Sequence, residues 1–296
     1  MKRAAIAAAL CLVAALARAA APAPPVKPRI FPGIVVDLST KDGWTLKAKY
    51  NPAQEGRMSF LLLHGTGGRK EDWYWLAKRL WRRGYGYLAV DLRGHGESRA
   101  APEGKPAVWR KFVVSKAYNE YLNMAADLEA GVSYLVGQGA PEDGIAIIGA
   151  DLGGSLGLRY AALHPKVPMI ALLSPGMKYQ EITTVNAMRA YKDRPILMVY
   201  SEADKTSARE TPILFSFAKM SVDERKATLI VAPDEHGTRM LRGPVIDAVL
   251  DWIRSPVKPD LAVSSGTAVV PADASSRTAE GEDAGEAEAP LSEGGR

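Results

Sequence analysis

The stretch that decides the fold is Ile145-Ala146-Ile147-Ile148-Gly149-Ala150-Asp151-Leu152-Gly153-Gly154. The apolar run Ile145–Ile148 is short and closes on small residues, the pattern of a buried strand. Ser155–Leu163 then reads as a helix that stops before His164-Pro165. A strand delivered through glycines into a helix leaves Asp151 alone at the junction, the one charged residue of the stretch.

The same alternation continues outward in both directions. Toward the N-terminus, Met58–Leu63 and Tyr87–Val90 are further apolar strands, and Ile34–Asp37 with Thr45–Tyr50 form a hairpin around Asp42-Gly43. Trp73, Leu76, Ala77 and Leu80 recur at helical spacing, with Arg82, Arg83 and the stop residue Gly84 behind them. Tyr121, Met124, Ala125, Leu128, Val132 and Leu135 mark the face of another helix. Toward the C-terminus, Met169–Leu173, Ile196–Tyr200 and Ala227–Val231 are strands, with helices expected near Thr211–Met220 and over Val245–Ile253. Strands alternating with helices predict an α/β fold, a mostly parallel sheet with helices on both faces. In such sheets the chemistry gathers at the carboxyl ends of the strands.

Those ends carry the informative residues. After Met58–Leu63 comes His64-Gly65-Thr66-Gly67-Gly68, and after Tyr87–Val90 comes Asp91-Leu92-Arg93-Gly94-His95-Gly96-Glu97-Ser98. Ile145–Ile148 leads to Gly149-Ala150-Asp151-Leu152-Gly153-Gly154, and Ile196–Tyr200 to Ser201-Glu202-Ala203-Asp204. Ala227–Val231 is followed by Asp234, Glu235 and His236-Gly237. In this order the segments resemble the α/β-hydrolase family over roughly residues 34–253.

The resemblance implies a nucleophile on a sharp strand-to-helix turn, followed in chain order by an acid and a histidine. It places Asp151 where most members carry serine, Asp204 as the acid and His236 as the base, with Gly149, Gly153 and Gly154 keeping the turn tight. The backbone N–H groups of Thr66 and Leu152 are the implied oxyanion donors. Of the four histidines, His64 and His95 lie in loop motifs whose histidines are usually structural in the family, and His164 precedes a proline. Only His236 follows the last strand. Glu202 rivals Asp204 for the acid, with poorer spacing. Gly153-Gly154-Ser155-Leu156-Gly157 matches the serine motif literally, but it begins beyond the turn and would set Ser155 on the helix itself.

An aspartate at the turn changes the chemistry. Attack on acyl carbon would give an anhydride, whereas attack on saturated carbon bearing a leaving group gives an alkyl ester that water can hydrolyse. Haloalkane dehalogenases and epoxide hydrolases follow that logic, yet the sequence departs from both. Leu152 stands where they usually carry tryptophan, and Thr66-Gly67-Gly68 replaces the proline usual in epoxide hydrolases. About twenty residues separate Leu173 from Ile196, room for a minimal lid, with Tyr179 and Tyr191 inside it. Leu173-Ser174-Pro175-Gly176 and His236-Gly237-Thr238 look closer to serine-type esterases. Three readings stay open: a hydrolase with Asp151 as nucleophile acting on saturated carbon, an ester or amide hydrolase using water activated by His236 or an unrecognised nucleophile, and a disabled hydrolase retained as a binding protein.

The ends of the chain differ from its middle. Lys2-Arg3, the apolar run Ala4–Leu16 and Ala17-Arg18-Ala19 form the three parts of a secretory signal over residues 1–19. The apolar run is too short for a comfortable span, so no stable membrane anchor is expected after its removal. Cys11, the single cysteine of 296 residues, falls inside it, which removes disulfide and thiol chemistry from the mature protein. Residues 258–296 are rich in Ala, Ser, Gly, Glu and Asp and read as a disordered acidic tail, leaving a hydrolase domain over residues 30–255. The lysines and arginines behind the net charge of +5 are scattered, and no nucleic-acid motif accompanies them. The expected partner is a small-molecule substrate, with no metal or organic cofactor, in a periplasmic or extracellular setting. Arg99–Tyr118, with Trp109 and Phe112, is either a pocket rim or plain loop packing.

Overall fold

A computed structural model describes residues 31–258 apart from 103 and 105. The segment read as a secretory signal, residues 1–19, and the stretch read as an acidic tail beyond Lys258 lie outside the described residues. Ten strands are described: β1 (Ile34–Ser39), β2 (Thr45–Asn51), β3 (Ser59–Leu63), β4 (Gly86–Val90), β5 (Ile145–Ala150), β6 (Ile170–Leu173), β7 (Lys178–Tyr179), β8 (Ile182–Thr183), β9 (Ile196–Ser201) and β10 (Ala227–Ala232). The helices are α1 (Tyr74–Arg82), α2 (Ala125–Gly137), α3 (Asp151–Leu163), α4 (Val185–Ala190), α5 (Lys205–Ser221) and α6 (Gly243–Arg254).

Eight strands form one sheet in the order β1-β2-β4-β3-β5-β6-β9-β10. The β1–β2 and β2–β4 pairs are antiparallel, and every pair from β4 to β10 is parallel. The two-residue side-chain period of a strand explains the two cores. Leu61 and Leu63 of β3 face one way with Ile147 and Leu172, and α2, α3, α4 and α5 cover them. Phe60 and Leu62 face the other way with Ile148 and Leu173, beneath α1 and α6. Burial on both faces is why these strands are continuous apolar runs.

Two helices start earlier than their sequences indicate. The chain enters α3 at Asp151, ahead of Ser155, and Gly153 and Gly154 are both helical. Their low propensity is overridden by packing, because a Cβ on Gly153 would stand 2.3 Å from the Leu63 carbonyl oxygen. Only glycine lets the helix approach the end of β3 so closely. Helix α5 begins at Lys205 and runs through Pro212, its first turn capped by the Asp204 carboxylate. The lid between β6 and β9 is small: the antiparallel pair β7–β8 and the short helix α4. Among the described residues no helix is long and apolar enough to cross a membrane.

Candidate active site

The ends of β3, β5, β9 and β10 bring together residues far apart in sequence. Asp151 opens α3 with φ +49°, a left-handed conformation that a non-glycine residue adopts at a cost. The turn aims its side chain out of the sheet and back over β3. There Gly65 makes room, since a Cβ at that position would lie 2.9 Å from the Cβ of Asp151. The Thr66 amide donates to Asp151 Oδ2 at 3.1 Å. Asp151 Oδ1 is buried and has no hydrogen-bond partner among the described residues.

Asp204 ends the β9 loop and caps α5. It accepts from the Thr206 and Ser207 amides and from the Ser207 hydroxyl, the last at 2.6 Å. The same carboxylate meets His236 Nδ1 at 2.5 Å. Burial pushes the Asp204 carboxyl up, but the bonds from Ser207 and His236 outweigh it and hold the group below the usual carboxylate range. His236 sits just before a one-turn 3-10 helix, Gly237–Met240, with its Nε2 3.9 Å from Asp151 Oδ2. Asp151 foremost, and then Asp204, raise the imidazole above its ordinary value against the opposing effect of burial. The imidazole is thus held between two carboxylates, with Nδ1 committed to Asp204 and Nε2 turned to Asp151.

The other candidates lie elsewhere. Ser155 is buried, and its hydroxyl donates back to the Asp151 carbonyl at 3.3 Å. Glu202 is exposed. His64 is consumed by the Gly65 carbonyl and the Leu92 amide. His95 contacts the Arg93 carbonyl, stacks on Trp109 at 5.2 Å, and is pushed by burial to about 3. His164 stacks on Tyr160 at the end of α3. Trp109 and Phe112 pack against the core, so the Arg99–Tyr118 stretch supplies loop packing there. Leu152 is buried in the first turn of α3, where backbone N–H groups lack helical acceptors.

Asp151 and His236 open onto a cavity of about 650 Å³ between the loops after β3 and β10, with Phe31, Tyr74 and Trp75 on its apolar side. The lid tyrosines both have committed hydroxyls: Tyr179 donates to the Ser174 carbonyl at 3.0 Å and Tyr191 to the Pro195 carbonyl at 2.8 Å. Among the described residues no group of three or more histidine, cysteine or acidic side chains is placed to hold a metal ion. One residue of consequence carries no signal in the sequence beyond its place in Leu173-Ser174-Pro175-Gly176. Ser174 is fully buried at the end of β6, and its hydroxyl oxygen accepts from the Gly237 amide at 2.8 Å.

A model of the alpha/beta hydrolase fold matches residues 59–211, just over half of the chain. Solved structures similar to it include an esterase of Pyrococcus furiosus, at 19% identity and TM-score 0.58 over 76% of this chain and 92% of that one. A dienelactone hydrolase of Anabaena variabilis is 15% identical, with TM-score 0.56 over 77% and 99% of the two chains. An alpha/beta hydrolase of Penicillium, GrgF, is 16% identical, with TM-score 0.59 over 75% and 97%. At such identities the likeness is one of fold. No curated protein matches the chain by sequence.

Proposed function

This chain belongs to the α/β hydrolase fold family, and from that premise we propose that it is an exported hydrolase of a small molecule, working through Asp151, Asp204 and His236. The observation that carries the proposal is His236 held between two carboxylates at the wall of the cavity. Esterase and dienelactone hydrolase neighbours favour hydrolysis over a pure binding role. Export rests on the three-part signal in residues 1–19.

Asp151 is the nucleophile in this reading. Oδ1 is sealed off, so Oδ2 is the oxygen that meets a substrate, and an ionised oxygen keeps a lone pair after accepting from Thr66. Oδ2 attacks a saturated carbon, the leaving group departs with its electron pair, and an alkyl ester forms on Asp151. Alkylation removes one of the two negative charges that raise the imidazole and so favours its neutral form, in which Nε2 can act as a base. Nε2 then takes a proton from water, whose oxygen attacks Cγ. The tetrahedral oxyanion forms on Oδ1, which has no donor in the resting site, so the step includes a turn of the carboxyl group about Cβ–Cγ that brings Oδ1 to the Thr66 and Leu152 amides. Collapse breaks the Cγ–O bond to the alkyl group, and the alcohol leaves with the proton from His236. With both lid tyrosines committed, an epoxide oxygen would lack those donors, and a leaving group stable as an anion fits better.

Trapping tests this directly. His236→Ala, incubated with panels of alkyl halides and epoxides, should accumulate an alkyl adduct on the peptide holding Asp151, read by mass spectrometry. The active protein in ¹⁸O-water should carry label into the Asp151 carboxylate. No adduct with any substrate, together with ester turnover that survives Asp151→Ala but not His236→Ala, would replace the carboxylate by water as nucleophile.

A further inference from the structure

We infer that Ser174 is the positioning residue for His236: one buried hydroxyl clamps both ends of the turn that presents the imidazole to Asp151 and Asp204. The inference rests on His236 being the base of the proposed reaction.

The geometry around Ser174 is unusual for a residue outside the triad. Its φ is +48°, in the left-handed region, although it has a side chain. A conformation of that kind persists only where the surroundings over-determine it, and here they do. The Ser174 amide donates to the Val199 carbonyl at 2.7 Å, tying it to β9. Its own carbonyl accepts from the Tyr179 hydroxyl at 3.0 Å. The next carbonyls in the chain are also taken, that of Pro175 by the Thr211 hydroxyl and that of Gly176 by the Thr184 hydroxyl. The end of β6 is therefore pinned to β9, β7, α5 and the residue before α4.

The side chain transmits that rigidity to His236. The Gly237 N–H donates to Ser174 Oγ at 2.8 Å, and Gly237 is the first residue of the one-turn helix that follows the histidine. Ser174 Oγ also lies 3.9 Å from the sulfur of Met240, the last residue of the same turn. A hydroxyl is donor and acceptor at once, so it accepts at the start of the turn and donates to the soft sulfur at its end. Both contacts are buried. The His236 backbone is extended, its side chain makes no cap, and its carbonyl accepts from the Arg239 amide at 3.2 Å within the turn itself. Without the clamp, little besides the Nδ1 contact with Asp204 would hold the imidazole 3.9 Å from Asp151.

The His236 titration reads this position without a known substrate. The protein has four histidines, so the imidazole signals in a ¹H–¹⁵N spectrum can be assigned by single substitution. In the unaltered protein His236 should titrate above the ordinary imidazole value. Ser174→Ala should move it down by half a pH unit or more while melting stays cooperative. Ser174→Gly deletes the same hydroxyl but suits the positive φ, so it should fold at least as well and show the same fall. Tyr179→Phe, which frees the Ser174 carbonyl and leaves the hydroxyl contacts alone, should shift His236 less. An unchanged His236 titration in Ser174→Gly would overturn the clamp. A titration at the ordinary value in the unaltered protein, insensitive to Asp204→Asn, would instead overturn the triad.

Discussion

Two carboxylates are buried at strand ends on either side of β3, Asp91 after β4 and Asp151 after β5, and they are treated in opposite ways. Asp91 is saturated. One oxygen takes the Lys70 amide at 2.6 Å, and the other takes Lys70 Nζ and the Glu97 amide, both at 2.9 Å. Lys70 Nζ reaches Glu71 and Glu97 as well, so one ammonium is shared by three carboxylates and the loops after β3 and β4 are locked together. Asp151 has a single amide on one oxygen and nothing on the other, and His236 Nε2 stands 3.9 Å away. A carboxylate that holds a fold together is surrounded by donors. Asp151 is underbonded beside a cavity, in a strained turn, and no comparable set of donors ties it to the fold.

The difference can be broken from either side. The largest effect is expected for Asp204→Asn, which deprives His236 of the carboxylate on Nδ1 and should lower turnover about 10⁴-fold with little change in melting. Asp91→Ala should cost about 3 kcal/mol or more in urea unfolding, because the Lys70 and Glu97 amides and one bond of Lys70 Nζ lose their buried acceptor, although Glu71 and Glu97 still face the ammonium. Asp151→Asn, by contrast, should change stability by no more than about 1 kcal/mol, since only one hydrogen bond is at stake. Equal destabilisation by the two substitutions would erase the distinction between them.

Smaller but diagnostic is the dependence on pH. His236 is raised in the folded protein, so the stability it contributes is complete below the ordinary imidazole value and fades as pH climbs through the folded one. Asp204 is lowered, so its contribution is present above the ordinary carboxylate value and lost as pH falls through the folded one. Because the imidazole is partly open to solvent, the amplitude should be small. Asp204→Asn should flatten both limbs. Asp151→Asn should lower the His236 titration, since Asp151 is the foremost cause of its rise.

Much of the site was legible because it lies where strands end. Residues 149–154 announce a tight turn, His236 is the only histidine after the last strand, and the family resemblance favours Asp204 over Glu202. Ser155 failed as a rival because helical phase buries it, and the structure finds it bonded to the carbonyl one turn back. What stayed hidden was long-range. The fully hydrogen-bonded tyrosines of the lid and the role of Ser174 depend on which carbonyls and amides fold against them, and no periodicity encodes that. The start of α3 was misplaced for a related reason, since glycine looks unhelical until β3 is seen pressed against it.

The sequence by itself determined the α/β alternation, the order of the strand ends and the presence of an aspartate at the turn. Strand period, helix period and turn chemistry all act within a few residues and can be read from contiguous windows. Tertiary structure alone decided what that aspartate meets. The Thr66 amide reaches it across 85 residues, His236 reaches Asp204 across 32, and Gly237 reaches Ser174 across 63. Contacts over such separations are selected by how the sheet and its loops pack, and only the packed sheet shows which Asp151 oxygen takes the Thr66 amide and which is buried without a partner.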